Sequence, residues 1–273
     1  MEVNPEVGWY VYGFLPCSGQ TLPPIRGIDG QSPVLLIAEG EIGAAVSQVR
    51  LAEFGEEPLK RNLDDVRWLE EKVRRHEEIV EAIMAEGPVL PAKLCTIFLG
   101  DGRVRGIIRR ESRRLQEGLA YVRGKEEWGL KGFSNRARLC AAIARKDPEL
   151  RTLAQEIRSR PPGHAFFLKK TYEDLVLRKT LEREEALAQQ IVEAVRGKVV
   201  ELVLNPPLPK PATGREEEMV LNLACLVLKE RVGEFLSEVK RWNRRTPEEG
   251  LEIIPTGPWP PYTFAPRVDG NEQ

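Results

Sequence analysis

The amino-acid sequence predicts an α+β protein of two domains, with helices packed on one face of mixed or antiparallel sheets. Three observations carry that reading. Strand-like and helix-like runs are interspersed, yet they lack the regular βαβα rhythm of a doubly wound parallel sheet. Two early strands are joined by a short glycine-containing turn, Glu39-Gly40-Glu41, which makes an antiparallel hairpin. The chain has 273 residues, enough for one large domain or two of ordinary size. A boundary near residue 123 gives an N-terminal α+β domain over 1–123 and a C-terminal α+β domain over 124–256, followed by a terminal strap over 257–273.

Taken in order, Trp9 to Phe14 is aromatic and β-branched and reads as the first strand. A Pro/Gly-rich loop follows, then the hairpin of Val34 to Ala38 and Ile42 to Val49. Asn62 is the expected N-cap of a helix running to Gly87-Pro88, with Asp64 and Asp65 in its first turn, where the helix dipole favours negative charge. Its apolar stripe is expected at Leu63, Val66, Leu69, Val73, Val80 and Ile83. Val89 to Phe98 reads as a strand buried on both faces. Arg103 to Val122 is helical by spacing, Lys125 to Phe133 a strand, and Arg136 to Arg160 a helix that Pro161-Pro162-Gly163 ends. A long helix is expected from Ala165 to about Val200, then a proline loop over 205–214. Met219 to Leu228 reads as a buried strand, Lys229 to Arg245 as a helix and Leu251 to Pro255 as the last strand.

The run Gly257-Pro258-Trp259-Pro260-Pro261-Tyr262-Thr263-Phe264 holds three prolines and three aromatics in eight residues. Proline excludes a helix here, and the aromatics exclude a solvated tail. An extended, polyproline-like strap that plugs Trp259, Tyr262 and Phe264 into the C-terminal domain, or across to the N-terminal one, satisfies both.

A formal net charge of -1 gives no global attraction to nucleic acid or membrane. The charge is unevenly spread: residues 38–86 hold 13 Asp/Glu against 7 Lys/Arg, and residues 101–160 hold 16 Lys/Arg against 8 Asp/Glu. Cys17, Cys95, Cys140 and Cys225 are widely separated, and neither a signal-peptide pattern nor a membrane-length apolar run is seen. A reduced, cytosolic protein without a disulfide framework or zinc site is expected.

Candidate chemistry is sparse. His76 lies beside Glu77, but a metalloprotease helix needs a second histidine at position 80, which is Val. His76 also falls on the apolar stripe, so a packed or interfacial histidine held by a hydrogen bond is the favoured reading over catalysis. His164 follows Pro-Pro-Gly and reads as a cap or loop residue. Gly27-Ile28-Asp29-Gly30 lacks the residues of a phosphate loop and reads as a turn. The paired carboxylates of 56–78 read as a solvated acidic face. Six arginines between 103 and 114, Arg109 and Arg110 among them, offer a basic helix without the interleaved aromatics of a single-strand binder. The acidic helix at 62–86 is its expected internal counter-surface. No catalytic, cofactor-binding or metal-ligating residue is assigned.

Several separated blocks together resemble the gas vesicle protein family of the F/L type. They are Tyr10-Val11-Tyr12-Gly13, Gly27-Ile28-Asp29-Gly30, Glu53-Phe54-Gly55-Glu56-Glu57 leading into Asn62-Leu63-Asp64-Asp65 and Trp68-Leu69-Glu70, Arg75-His76-Glu77, Val89-Leu90-Pro91, Lys125 to Lys131 with Trp128, and the terminal Gly-Pro-Trp-Pro-Pro-Tyr. The chain departs after Pro91, where Lys93-Leu94-Cys95-Thr96 stands in place of the family's Arg-Phe-Gly-Thr.

The resemblance implies a non-enzymatic gas vesicle accessory protein whose second domain is similar to a modified ferredoxin-like fold. It implies binding to the very hydrophobic major shell protein, contact with other accessory proteins, help in vesicle assembly and a place as a minor structural component. The location so implied is the cytoplasm and the gas vesicle, with no cofactor, nucleic acid or membrane. The N-terminal domain is the expected contact region. Trp68, His76, Arg109, Arg110, Trp259, Tyr262 and Phe264 are the candidate interaction residues. Two rival readings remain: a nucleic-acid-binding module using the arginine helix at 103–114, and an enzyme using His76 and Glu77 as an acid–base pair.

Overall fold

The structure is a computed structural model and describes residues 6–19, 21–245 and 249–266. These fall into two compact units, one within 1–126 and 259–273, the other within 127–258.

The first unit contains strands β1 (Val7–Pro16), β2 (Leu35–Glu39) and β3 (Ile42–Arg50), then helices α1 (Leu51–Phe54), α2 (Glu56–Leu63) and α3 (Val66–Glu86). The short strands β4 (Leu90–Pro91) and β5 (Ile97–Phe98) precede α4 (Asp101–Arg110) and α5 (Ser112–Val122). The sheet order is β2-β3-β1-β4, with β5 also pairing β1, and β1 pairs antiparallel with β3, β4 and β5, as β2 does with β3.

A bulge in β1 decides what each face carries. Val11 pairs with Val46 and Gly13 with Ala45, so Tyr12 is the extra residue. Regular alternation would put Phe14 with the tyrosines. Instead Tyr10, Tyr12 and Leu15 pack with Ile79, Val80 and Ile83 of α3. Val11 and Phe14 pack with Val104, Ile107, Leu115 and Leu119 of α4 and α5. Helices therefore cover both faces of this sheet, where one face was expected. The apolar residues of β1 point both ways, and each set needs its own cover.

Three further expectations change. The long helix begins at Val66, not Asn62, because Asp65 caps it by accepting from the amides of Arg67 and Trp68 at 2.9 and 3.3 Å. Asn62 instead donates its side-chain amide to the Glu53 carbonyl at 3.0 Å. Leu63, Val66 and Val73 are consequently exposed, and the buried arc of α3 runs through Lys72, His76, Ile79, Val80 and Ile83. The strand expected over Val89 to Phe98 is reduced to two brief pairings with β1, separated by a turn in which Cys95 takes φ 61°. The helix expected from Arg103 breaks at Glu111 into α4 and α5.

The second unit contains β6 (Lys125–Ser134), α6 (Arg136–Lys146), α7 (Pro148–Ser159), α8 (Pro162–Arg196), β7 (Glu201–Leu204) and α9 (Lys210–Thr213). It continues with β8 (Glu218–Leu228), a 3-10 turn (Lys229–Arg231), α10 (Val232–Arg245) and β9 (Leu251–Trp259). Its strand order is β7-β8-β6-β9. Leu187, Ile191 and Val195 of α8 and Phe235, Val239 and Trp242 of α10 pack on Leu130, Leu221, Leu223, Cys225, Val227 and Ile253. The helix expected over 136–160 is split by Asp147, which caps α7 by accepting from the Leu150 amide at 3.0 Å. Pro162 starts α8 instead of stopping a helix, since a first-turn position has no hydrogen bond for proline to break.

The strap departs from its expected form. Gly257, Pro258 and Trp259 continue β9 as strand. Pro260 to Pro266 then turns, with Tyr262 N–H donating to the Pro260 carbonyl at 2.7 Å and Ala265 N–H to the Pro261 carbonyl at 2.8 Å. Tyr262 lies against His76 of α3, while Ala265 packs into the core under α4 and α5. The segment thus contacts the cores on both faces of the first unit's sheet, and Phe264 is buried on the way. Residues 267–273 of the expected strap lie outside the described residues.

Gly13 allows the close approach of β4: a Cβ there would lie 2.7 Å from the Leu90 carbonyl oxygen, which backbone pairing holds in place. Gly13→Ala is expected to cost about 1–3 kcal/mol by overpacking. Thermal melting of the variant against the unsubstituted chain measures this.

Candidate functional site

The two tyrosines of β1 organise the polar centre under α3. Tyr10 is fully buried, and its hydroxyl accepts the Cys95 amide at 2.9 Å. The same hydroxyl lies 2.9 Å from His76 Nδ1, a hydrogen bond whose direction follows the imidazole tautomer. His76 is held neutral by its burial. Burial pushes its pKa down to about 4, with the Ala92 backbone pulling weakly the other way. Tyr10, Tyr12 and Tyr262 surround the ring at centroid distances of 5.7, 5.9 and 6.4 Å.

Tyr12 does the same for the loop before β2. Its hydroxyl accepts the Ile28 amide at 2.7 Å and pairs with Ser47 Oγ at 2.7 Å, and burial pushes its pKa up to about 12. Gly27 must lack a side chain, because a Cβ there would sit 2.3 Å from Ser47 Oγ. Asp29 accepts from the amides of Gln31 and Ser32 at 2.9 Å each, which makes Gly27-Ile28-Asp29-Gly30 a turn pinned to the sheet. From α3, Arg75 donates to the Arg26 and Gly27 carbonyls at 2.6 and 3.3 Å. Lys72, itself buried, pairs with Glu53 at 3.4 Å and stands 5.7 Å from the Trp68 ring.

The candidate residues do not form one constellation. Trp68 is half-buried, donating Nε1–H to Glu53 at 3.0 Å and packing on Phe54 at 5.6 Å. His76 meets Tyr262, but Glu77 does not join it: the Glu77 carboxylate accepts from the Tyr262 hydroxyl instead. Burial pushes Glu77 upward, and burial together with the Glu77 charge pushes Tyr262 upward. The acid–base pair that the enzyme reading requires is thus divided between two partners, and its histidine is 1% exposed. Phe264 is buried, whereas Trp259 and Tyr262 are 42% and 37% exposed.

Arg109 and Arg110 lie on α4, which packs on the other face of the sheet. Arg109 donates twice to Glu39 Oε1 at 3.0 and 2.7 Å, and Arg110 meets Glu111 at 3.4 Å. Arg105 bonds the Ala38 carbonyl, Arg113 pairs with Glu117 at 2.8 Å and Arg114 with Glu111 at 3.8 Å. The counter-charges come from the hairpin turn and from α5 and its leading residue, not from the acidic helix that was expected. Much of the basic stripe is thereby neutralised internally, which weakens it as a phosphate track.

What α3 leaves outward is a stripe of exposed apolar side chains, Leu63 just before it and then Val66 and Val73, at 41%, 66% and 41% exposure. Glu70, Glu77 and Glu81 lie along the same side, seven and then four residues apart, and Tyr262 meets it through Glu77. Sequence reasoning placed these aliphatics in the core and did not find Tyr10, Tyr12, Ser47 or Lys72. The available signal was the Tyr-x-Tyr spacing, which puts two hydroxyls on one face of a strand. Among the described residues no group of three or more His, Cys, Asp or Glu could hold a metal ion, and no helix is long and apolar enough to cross a membrane.

A protein-family model described as gas vesicle synthesis protein GvpL/GvpF matches residues 8–266. The chain is 26% identical over 257 residues to gas vesicle protein L of Streptomyces sp. (strain CB03234), covering 94% of this chain and 92% of that one. It is 29% identical over 251 residues to gas vesicle protein L1 of Halobacterium salinarum, covering 89% and 84%. In fold it is similar to the crystal structure of gas vesicle protein GvpF from Anabaena sp. PCC7120, with a TM-score of 0.73 at 18% identity over 95% of this chain and 98% of that one. The crystal structure of GvpF from Microcystis aeruginosa gives a TM-score of 0.65 at 22% identity over 95% and 99%.

The depressed pKa of His76 has a signed consequence. Between about pH 6.5 and about pH 4 the unfolded chain binds a proton at this position that the folded chain does not, so stability falls as pH is lowered through that window. The loss expected from this one group is about 3 kcal/mol. Glu77 contributes with opposite sign, since its raised pKa costs stability as pH rises. Urea unfolding of the unsubstituted chain and of His76→Gln across pH 4 to 7 separates them: the variant is expected to lose the downward slope.

Proposed function

We propose a function from one premise: the chain belongs to the gas vesicle synthesis protein GvpL/GvpF family. It is a gas vesicle protein involved in gas vesicle formation. Its work in our reading is protein–protein contact. The first unit holds the small hydrophobic major shell protein before that protein enters the vesicle wall. The contact takes place in the cytoplasm and at the growing vesicle, alongside other accessory proteins. A shell subunit that associates through apolar surface needs that surface covered until assembly.

The observation that carries this reading is the outward stripe of α3. Val66 and Val73 are exposed on a helix whose inward arc is already filled by Lys72, His76, Ile79, Val80 and Ile83, and Leu63 at the end of α2 is exposed just before them. Burying them therefore requires another molecule. Glu70, Glu77 and Glu81 run beside them and keep the surface soluble when it is empty. The rigid docking of α3 by Tyr10, Tyr12 and Tyr262 presents the stripe without an ordering cost. Nothing in this reading calls on bond-making chemistry, and the sealed, neutral His76 supports a binding role over a catalytic one.

Co-expression of the full-length chain with the major shell protein, followed by co-purification, tests the proposal. Truncation at residue 123 is unsuitable, because Tyr262 and Phe264 belong to the first unit. The full chain is expected to retain the shell protein, and Val66→Asp combined with Val73→Asp to reduce retention by about tenfold or more with the melting temperature unchanged. Retention unaffected by these substitutions would place the contact elsewhere, and no retention by the unsubstituted, folded chain would overturn direct shell binding.

A further inference from the structure

The carboxylates of α3 are not treated alike. Glu71 pairs with Lys72 at 3.2 Å, and Glu78 pairs with Arg74 at 3.3 Å and Arg75 at 3.1 Å. Glu70, Glu77 and Glu81 pair with no cation among the described residues. These three are the carboxylates that share a side with Val66 and Val73. At about 100° per residue, Val66, Glu70, Val73, Glu77 and Glu81 fall within about 80° of one another around the helix, and Glu86 lies opposite them. Among the described residues Arg67 is the one cation of α3 outside an ion pair, and it stands about 100° round from Val66. Counting it, this side still keeps three negative charges against one positive.

Glu77 carries the argument. It is the one carboxylate of α3 that is not exposed. The neutral Tyr262 hydroxyl meets it, and Glu81 sets a like charge beside it. Burial and that like charge both push its pKa up. A carboxylate withdrawn from water is best met by a cation. The second unit supplies one to its own buried carboxylates: Glu184 pairs with Arg136 and Glu238 with Arg241, each at 3.1 Å. On α3 that cation is left for another molecule to bring.

The spacing says what shape brings it. Residues 66, 70, 73 and 77 advance by four, three and four, the steps by which one helix packs along another. Val66 and Val73 stand about 10 Å apart along the axis, two turns of a facing helix. We infer that the occupant of this side is an amphipathic helix whose apolar face is edged with lysine or arginine. Its apolar residues, seven apart, cover Val66 and Val73, and cations three or four residues from them reach Glu70 and Glu77. The apolar contact supplies affinity, while the charges set the register and turn away an acid-edged helix. This deepens the shell-protein contact proposed above and rests on it for the identity of the partner.

Fluorescence anisotropy of two synthetic helical peptides with the full-length chain tests the inference. Both peptides carry the same apolar residues seven apart. One is edged with Lys and Arg, the other with Glu at the same positions. The cationic peptide is expected to bind and the acidic one not to. The dissociation constant of the cationic peptide is expected to rise about fivefold or more in Glu77→Gln and in Glu70→Lys, and as salt is raised from about 0.05 to about 0.5 M. Circular dichroism checks that each variant is folded. Equal binding of the two peptides, binding of neither, or indifference to both substitutions and to salt would each overturn the inference. Co-purification of the shell protein, scored in parallel, separates this failure from that of the shell contact. Retention lost in Val66→Asp with Val73→Asp but unchanged in Glu77→Gln and Glu70→Lys keeps the shell contact and overturns its cationic edge. No retention by the unsubstituted chain overturns the shell contact itself, and the peptides then decide the chemistry of the surface.

Discussion

Two tyrosine hydroxyls buried beneath α3 oblige the first unit to be built around them. A hydroxyl taken out of water without a partner costs on the order of 1–3 kcal/mol, so each must be met by polar groups from elsewhere in the chain. Tyr10 is met by the Cys95 amide and His76, and Tyr12 by the Ile28 amide and Ser47. Those partners lie in the loop before β2, in β3, in α3 and in the turn between β4 and β5. Four separate segments are thereby brought to one strand. Strand alternation puts both tyrosines on one face, and the β1 bulge sends Phe14 to the other.

The same requirement explains why the sequence elements of this region are individually plain and jointly informative. Gly27 is needed for contact with Ser47, Asp29 for shaping the turn, Arg75 for holding that turn's carbonyls and His76 for meeting the Tyr10 hydroxyl. None of them performs chemistry. Each satisfies or accommodates a neighbour, and the outcome is a helix seated firmly enough to offer its outer side to a partner. The strap completes the arrangement from the far end of the chain, placing Tyr262 against His76 and meeting Glu77 through its hydroxyl.

Charge is handled by local pairing throughout. The arginines of α4 and α5 find Glu39, Glu111 and Glu117, and Arg136 and Arg183 of the second unit find Glu184 and Glu249. Most such exposed pairs contribute little to stability. Their consequence is for recognition, since a basic stripe matched by its own carboxylates loses much of its long-range pull.

By itself the sequence determined the α+β class, the hairpin, most helices and strands to within a few residues, and the family. Those features depend on local periodicity, on glycine and proline, and on short motifs, all of which are written along the chain. It also carried the packed, hydrogen-bonded nature of His76, because the histidine's spacing from Val73 and Val80 is local. Only the tertiary structure decided which side of α3 faces inward, that helices cover both faces of the first sheet, and that Tyr262 would take Glu77 away from His76. Val66 and Val73 show why. A helical stripe names a set of side chains but not the surface it meets, and here the sheet selected the arc that carried Lys72 and His76, since only that arc could satisfy the buried hydroxyls.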